Sequence, residues 1–126
     1  MTEADVQAWL DRYVEAWRSN DAATIGELFS EDARYRYHAY DEWVEGRDAI
    51  VASWLESPDD PAGWEARYEP WLVAGDEAVA VGTSRYVASG DTPARNYWNC
   101  FLLRLGTDGR CAEFTEYYVR EPAAEG

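Results

Sequence analysis

Apolar side chains recur at steps of three and four at the start of the chain. Val6, Leu10, Tyr13, Val14 and Trp17 share one face, and Asp5, Asp11, Arg12, Glu15 and Arg18 fill the other. That spacing predicts an amphipathic helix. Ser19-Asn20-Asp21 ends it and caps a second helix, where Ile25, Leu28 and Phe29 repeat the pattern and Gly26 is a weak point. From Ala33 to His38 the period falls to two: Arg34 and Arg36 alternate with Tyr35 and Tyr37, as in a half-buried strand. Gly46-Arg47-Asp48-Ala49-Ile50 opens a third helix carrying Ile50, Trp54 and Leu55, and Pro58-Asp59-Asp60-Pro61 stops it. The remainder reads as strands, Glu65 to Val73, Ala78 to Val87, Arg95 to Leu105 and Arg110 to Val119, separated by turn residues. Helices first and hairpin-linked strands afterwards predict an α+β domain, three helices packed on a curved antiparallel sheet that encloses a pocket. One domain over residues 1–121 is expected, with a short disordered tail at 122–126.

Register sharpens this picture. If Leu105 and Arg110 flank a four-residue turn, Asn99 faces Glu116, Phe101 faces Phe114 and Tyr97 faces Tyr118, all on one side of the sheet. A carboxylate and an amide then share a face with four aromatic rings, where a charge is costly to desolvate. Tyr37 and Tyr86 project inward by alternation, and the small Gly82 and Ser84 beside Tyr86 leave room for a cavity. Trp54 is expected on its wall. The opposite face carries Trp98, Cys100, Leu102 and Arg104 against Tyr117, Thr115, Glu113 and Cys111, with Val79, Val81 and Val87 nearby. It is too apolar for open water, so a homodimer through that outer face is expected.

Charge and composition narrow the chemistry. The 126-residue chain has a formal net charge of −14 with no basic stretch, which disfavours nucleic acid and anionic membrane surfaces as partners. Its acidic start runs straight into a helical pattern, and a cytoplasmic protein without a leader peptide is expected. All 11 basic residues are arginines, so lysine Schiff-base chemistry is excluded. Arg34, Arg36, Arg67 and Arg104 read as solvated strand faces paired with carboxylates. One histidine and two cysteines supply too few ligands for a structural zinc site, and neither a metal nor a cofactor is expected. Cys100 and Cys111 lie four residues out of register and are expected to be unpaired, small buried hydrophobes. His38, following Tyr37, points away from it or marks the strand's end at the pocket mouth, in a surface or anchoring role.

Four segments, Arg12-Tyr13-Val14-Glu15-Ala16-Trp17, Glu27 to Ala33, Gly46 to Ile50 and Asp108 to Phe114, give the chain a further meaning. In order and spacing it resembles the cone-shaped nuclear transport factor 2-like superfamily, in the SnoaL-like branch near ketosteroid isomerases. The resemblance covers nearly the whole chain and implies that fold. Tyr13 occupies the place of the isomerases' oxyanion-binding tyrosine. Their aspartate base falls at Tyr37 and their protonated aspartate near Phe101, so steroid isomerisation is not expected. Glu116 matches the acid–base carboxylate of SnoaL-like cyclases, whose accompanying histidine is Phe114 here. The Asp-Arg-Asp set of limonene epoxide hydrolase-like members has no counterpart.

The candidate catalytic set is therefore Glu116 as base, Asn99 to orient it or bind a carbonyl, and Tyr13 to polarise an oxygen. Tyr35, Tyr37, Trp54, Tyr86, Tyr97, Phe101, Phe114 and Tyr118 are candidate ligand-binding residues. The expected function is cofactor-independent isomerisation, cyclisation or hydrolysis of an apolar small molecule. A non-catalytic binding or dimerisation module built on the same pocket is the alternative.

Overall fold

In the computed structural model, which describes residues 1–122, the first helix α1 spans Glu3–Ser19. The expected tail lies, beyond Pro122, outside the described residues. Thr2 starts α1 with a capping box: its hydroxyl accepts from the Asp5 amide while the Asp5 carboxylate accepts from the Thr2 amide. Asn20 closes the helix in the left-handed conformation, φ 50°. Val6, Trp9, Leu10, Tyr13 and Ala16 form the buried face that the spacing predicts. The second helix, α2, is shorter than its apolar pattern suggests, covering Ala22–Gly26 from an Asp21 cap. Leu28 and Phe29 are buried, but Phe29 already opens strand β1, Phe29–Arg36. Two adjacent apolar residues satisfy a helix period and a strand equally well, so the pattern overruns the true boundary.

A two-residue strand β2 (Val44–Glu45) pairs with β1 before α3, Arg47–Leu55. A single 3-10 turn at Pro61–Gly63 then leads into β3 (Trp64–Ala74), β4 (Glu77–Tyr86), β5 (Arg95–Leu105) and β6 (Cys111–Arg120). The six strands form one sheet in the order β2-β1-β6-β5-β4-β3. The sheet is mixed, not purely antiparallel, because β1 runs parallel to β6. Hairpin turns force antiparallel neighbours only between consecutive strands, and most of the chain lies between these two. The helices cover one face, α1 against β3 and α3 against β1.

The last hairpin departs from the simple four-residue turn. Gly106 donates to the Arg110 carbonyl at 2.8 Å, which shifts the pairing by one residue, and a bulge at Ala112 shifts it by another. Phe101 therefore faces Glu116, Asn99 faces Tyr118, Leu103 faces Phe114 and Tyr97 faces Arg120. A slip of two residues preserves the face, so Asn99, Phe101, Phe114 and Glu116 remain on the inner side. Before the bulge the face changes. Cys111, placed by alternation on the outer face, lies on the core side instead; it is fully buried, as expected of it, and its amide donates to the Leu28 carbonyl at 2.7 Å. Burial pushes its thiol pKa up to about 12. Both cysteines are free, and Cys100 on the outer face is only partly buried.

Gly82 also has a different use from the one its size suggests. A Cβ there would sit 1.9 Å from the Arg67 carbonyl oxygen and 2.5 Å from Tyr68 Cδ1. The space left by the missing side chain is filled by Tyr68, the residue paired with Gly82 across β3 and β4. Gly82→Ala is expected to force Tyr68 and its backbone aside and to lower stability by about 3 kcal/mol, the upper end of overpacking penalties. Chemical denaturation of the two proteins checks this, and an unchanged midpoint would contradict it.

Candidate active site

Tyr13 stands at the centre of the interior. Its ring lies 5.5 Å from Trp9, 5.2 Å from Trp54, 5.9 Å from Tyr68, 5.5 Å from Phe101 and 5.6 Å from Phe114, stacked on the last. Tyr35 stacks on Phe114 from the other strand at 4.6 Å with the planes 1° apart. Above this layer a cavity of about 350 Å³ opens between α1, α3 and the sheet. That volume lies at the small end of the ~300–1,000 Å³ range of small-molecule sites. Tyr13, Tyr35, Tyr37, Trp54, Tyr86 and Glu116 line it, so six of the eleven residues selected from sequence meet there.

The other five take different positions. Phe101 and Phe114 have no exposed surface and form the floor beneath Tyr13. Tyr97 packs edge-on against Tyr86 and Tyr118, at 5.7 and 5.5 Å, without lining the cavity. Tyr118 is 44% exposed, and its hydroxyl meets His38 Nε2 at 3.0 Å. His38 is anchored on its other nitrogen by Asp41 at 2.8 Å, the anchoring role expected for it. Asn99 lies behind the wall with both ends of its amide engaged. Its Oδ1 accepts from Ser84 Oγ at 3.0 Å, and its Nδ2 donates to Glu116 Oε2 at 2.9 Å. Asn99, expected either to orient Glu116 or to bind a carbonyl, is thus in contact with Glu116.

Glu116 reaches Asn99 diagonally across β5 and β6, since Phe101 is its direct partner. Burial raises its carboxyl pKa to about 7, against the lowering effects of the Asn99 hydrogen bond and the more distant His38. The phenols around it shift as well. Burial raises Tyr13, Tyr35, Tyr37, Tyr68 and Tyr86 above the ordinary tyrosine range, and the Glu116 charge adds to the shift in every one. Near neutral pH the cavity thus holds one carboxyl close to half-ionisation among hydroxyls that keep their protons. Such a set can remove a proton from a substrate and donate hydrogen bonds to the oxygen that gains charge.

Pattern reading missed Tyr68, Trp17 and Asp59 on the cavity wall. Tyr68 had a signal, the inward parity shared with Trp64 on β3. Trp17 was legible only as part of the helix face. Its ring stacks on Trp64 at 3.6 Å, and its Nε1 donates to Asp59 Oδ2 at 3.0 Å, which fixes the segment after α3 against α1. No sequence spacing links those two positions.

Comparison with known proteins agrees with the architecture. The family model described as SnoaL-like domain matches residues 10–114. Among solved structures, an NTF-2 like protein of unknown function from Burkholderia xenovorans LB400 superposes with a TM-score of 0.71 at 20% identity, covering 98% of this chain and 90% of that one. An LEH-like epoxide hydrolase of M. tuberculosis gives 0.68 at 11% identity, with 93% and 84% covered. A ketosteroid isomerase-like protein from Kribbella flavida gives 0.67 at 19% identity, with 98% and 83% covered. At these identities the likeness extends to the fold alone. No curated protein matches the chain.

The raised carboxyl has a thermodynamic signature. Folded Glu116 holds its proton up to about pH 7, whereas the unfolded residue releases it near 4.5, as an ordinary glutamate does. Between these values the native state binds more protons, so stability falls as pH rises through the interval. The contribution is intact below about pH 4.5 and lost above about 7, a change on the order of 3 kcal/mol at most. Glu116→Gln is expected to remove this slope and to be the more stable protein at pH 8. Thermal unfolding from pH 4.5 to 8 tests it; parallel curves for both proteins would contradict it.

Proposed function

The chain belongs to the SnoaL-like domain family, and from that premise we propose that it is a cofactor-independent acid–base enzyme acting on a small molecule with an apolar body. The observation that carries this reading is the Glu116 carboxyl on the cavity wall, held by Asn99 and raised to a pKa of about 7 by burial. A base with that pKa combines a useful ionised fraction with a strong pull on a proton. Glu116 removes a proton from carbon or from a water molecule and returns it later in the cycle. Tyr13 remains protonated and donates to the oxygen on which charge develops. Ser84 and Asn99 act through Glu116 by fixing its rotamer. Isomerisation, cyclisation and hydrolysis all use this division of labour.

By the resemblance, the isomerases' two aspartates fall at Tyr37, which is hydrogen-bonded to Ser53 at 2.8 Å, and near the core residue Phe101. Steroid isomerisation by their route is therefore outside the proposal. A ligand can be sought by thermal-shift screening of small carbonyl compounds. For a compound that the protein converts, Glu116→Gln is expected to lower kcat by about 10²–10⁴-fold while Kd changes little. An unchanged kcat would overturn catalysis by Glu116 and leave the cavity as a binding module.

We further propose a homodimer through the outer sheet face and a cytoplasmic location, which suits two free thiols. Leu72, Trp98 and Leu102 are 58, 57 and 41% exposed there, and Tyr117 and Val119 continue the patch along β6. Light scattering at micromolar concentration is expected to give twice the chain mass of 14.4 kDa. A monomer would contradict the dimer without touching the proposed chemistry.

A further inference from the structure

The cavity's lining differs in character from the rest of the protein's surface. Of its fourteen residues seven are tyrosine or tryptophan and three are carboxylates, and no basic side chain is among them. Basic groups do lie nearby. The Arg95 guanidinium sits 4.5 Å from the centroid of the Tyr86 ring, and His38 acts on Glu116 through space, yet neither lines the cavity. A neutral or anionic ligand would leave this negative potential uncompensated. A cation would meet several electron-rich rings and three carboxyl groups at once. A metal ion fits less well, because among the described residues no three His, Cys, Asp or Glu side chains are grouped to ligate one. The distribution of charge favours a diffuse organic cation whose apolar carbons fill the aromatic space.

We infer that the ligand of this cavity carries a positively charged nitrogen, a protonated amine or a quaternary ammonium group, held between the Trp17, Tyr37 and Tyr86 rings and the Glu56, Asp59 and Glu116 carboxylates. The inference rests on the reading of the cavity as a small-molecule site and names the class of molecule that it takes. The two outer carboxylates differ in their duties. Asp59 accepts from Trp17 and so fixes one wall, whereas Glu56 accepts no side-chain hydrogen bond among the described residues. Desolvation inside the aromatic wall makes a cation–π contact stronger than it is at an exposed site.

A pair of probes with the same shape and different charge separates this idea from the general one. Choline and 3,3-dimethylbutan-1-ol differ in replacing a quaternary nitrogen by carbon. Titration calorimetry in about 0.15 M salt, where the Debye length is ~8 Å, suppresses unspecific attraction to the acidic surface. Choline is expected to bind at least tenfold more tightly than the alcohol. Glu56→Gln combined with Asp59→Asn, which keeps an acceptor for Trp17, is expected to reduce that preference several-fold. Tyr86→Leu, at a half-buried position, should do the same if the double variant fails to fold. Equal or tighter binding of the alcohol overturns the cation while leaving a small-molecule cavity. A preference for choline that survives both variants places it elsewhere on the acidic surface and overturns the inference too. Binding of neither probe also overturns it, and the acid–base reading then stands or falls on its own carbonyl screen.

Discussion

Desolvating a carboxylate inside an aromatic interior costs several kcal/mol unless hydrogen bonds or protonation offset it. Around Glu116 both occur, and much of the interior is arranged accordingly. Asn99 supplies a hydrogen bond to Oε2, and Ser84 holds Asn99 in the orientation that makes this possible. A partial offset leaves the carboxyl near a pKa of about 7 instead of restoring its ordinary acidity. The phenols respond in the opposite sense to their function as bases and in the sense that suits donors. Burial and the Glu116 charge together keep them protonated. One buried charge thereby sets two kinds of titration apart, a carboxyl that can take a proton near neutral pH and phenols that keep theirs.

The sequence revealed the fold through periodicity and the inward face of the candidate site through parity. Val6, Leu10, Tyr13 and Trp17 marked the face of α1 that meets the sheet, and alternation put Glu116 and Asn99 on the inner side. That placement survived a two-residue error in register, because face depends on odd or even position and not on the partner. The same logic failed at Cys111, where the Ala112 bulge reverses the parity. Depth was the harder quantity. Phe101, Phe114 and Tyr35 share a face, yet only Tyr35 lines the cavity, because the other two lie beneath Tyr13. Nothing in the spacing of residues on a strand says how far above it a helix ring will sit. The Trp17–Asp59 and Gly82–Tyr68 contacts join distant segments, so their origin was visible only in three dimensions.

Strand β6 makes the two faces of the sheet interdependent. Glu113 points outward and accepts from Arg34 at 2.7 Å and from Arg104 at 2.9 Å, while Glu116 points inward to Asn99. The outward pairs are partly exposed and contribute little stability individually, ~0–1 kcal/mol. Their value lies in register. A two-residue slip of β6 against β5 would keep every side chain on its proper face, so burial alone distinguishes poorly between the two alignments. It would, however, move Glu113 away from Arg104 and place Glu116 directly opposite Asn99 instead of diagonal to it. The bulge at Ala112 and the bifurcated acceptance at Glu113 select one alignment on the outside, and the Ser84–Asn99–Glu116 chain selects the same one within. The precision of the carboxyl's position thus derives from contacts on both sides of a single strand, including the side that faces away from the cavity.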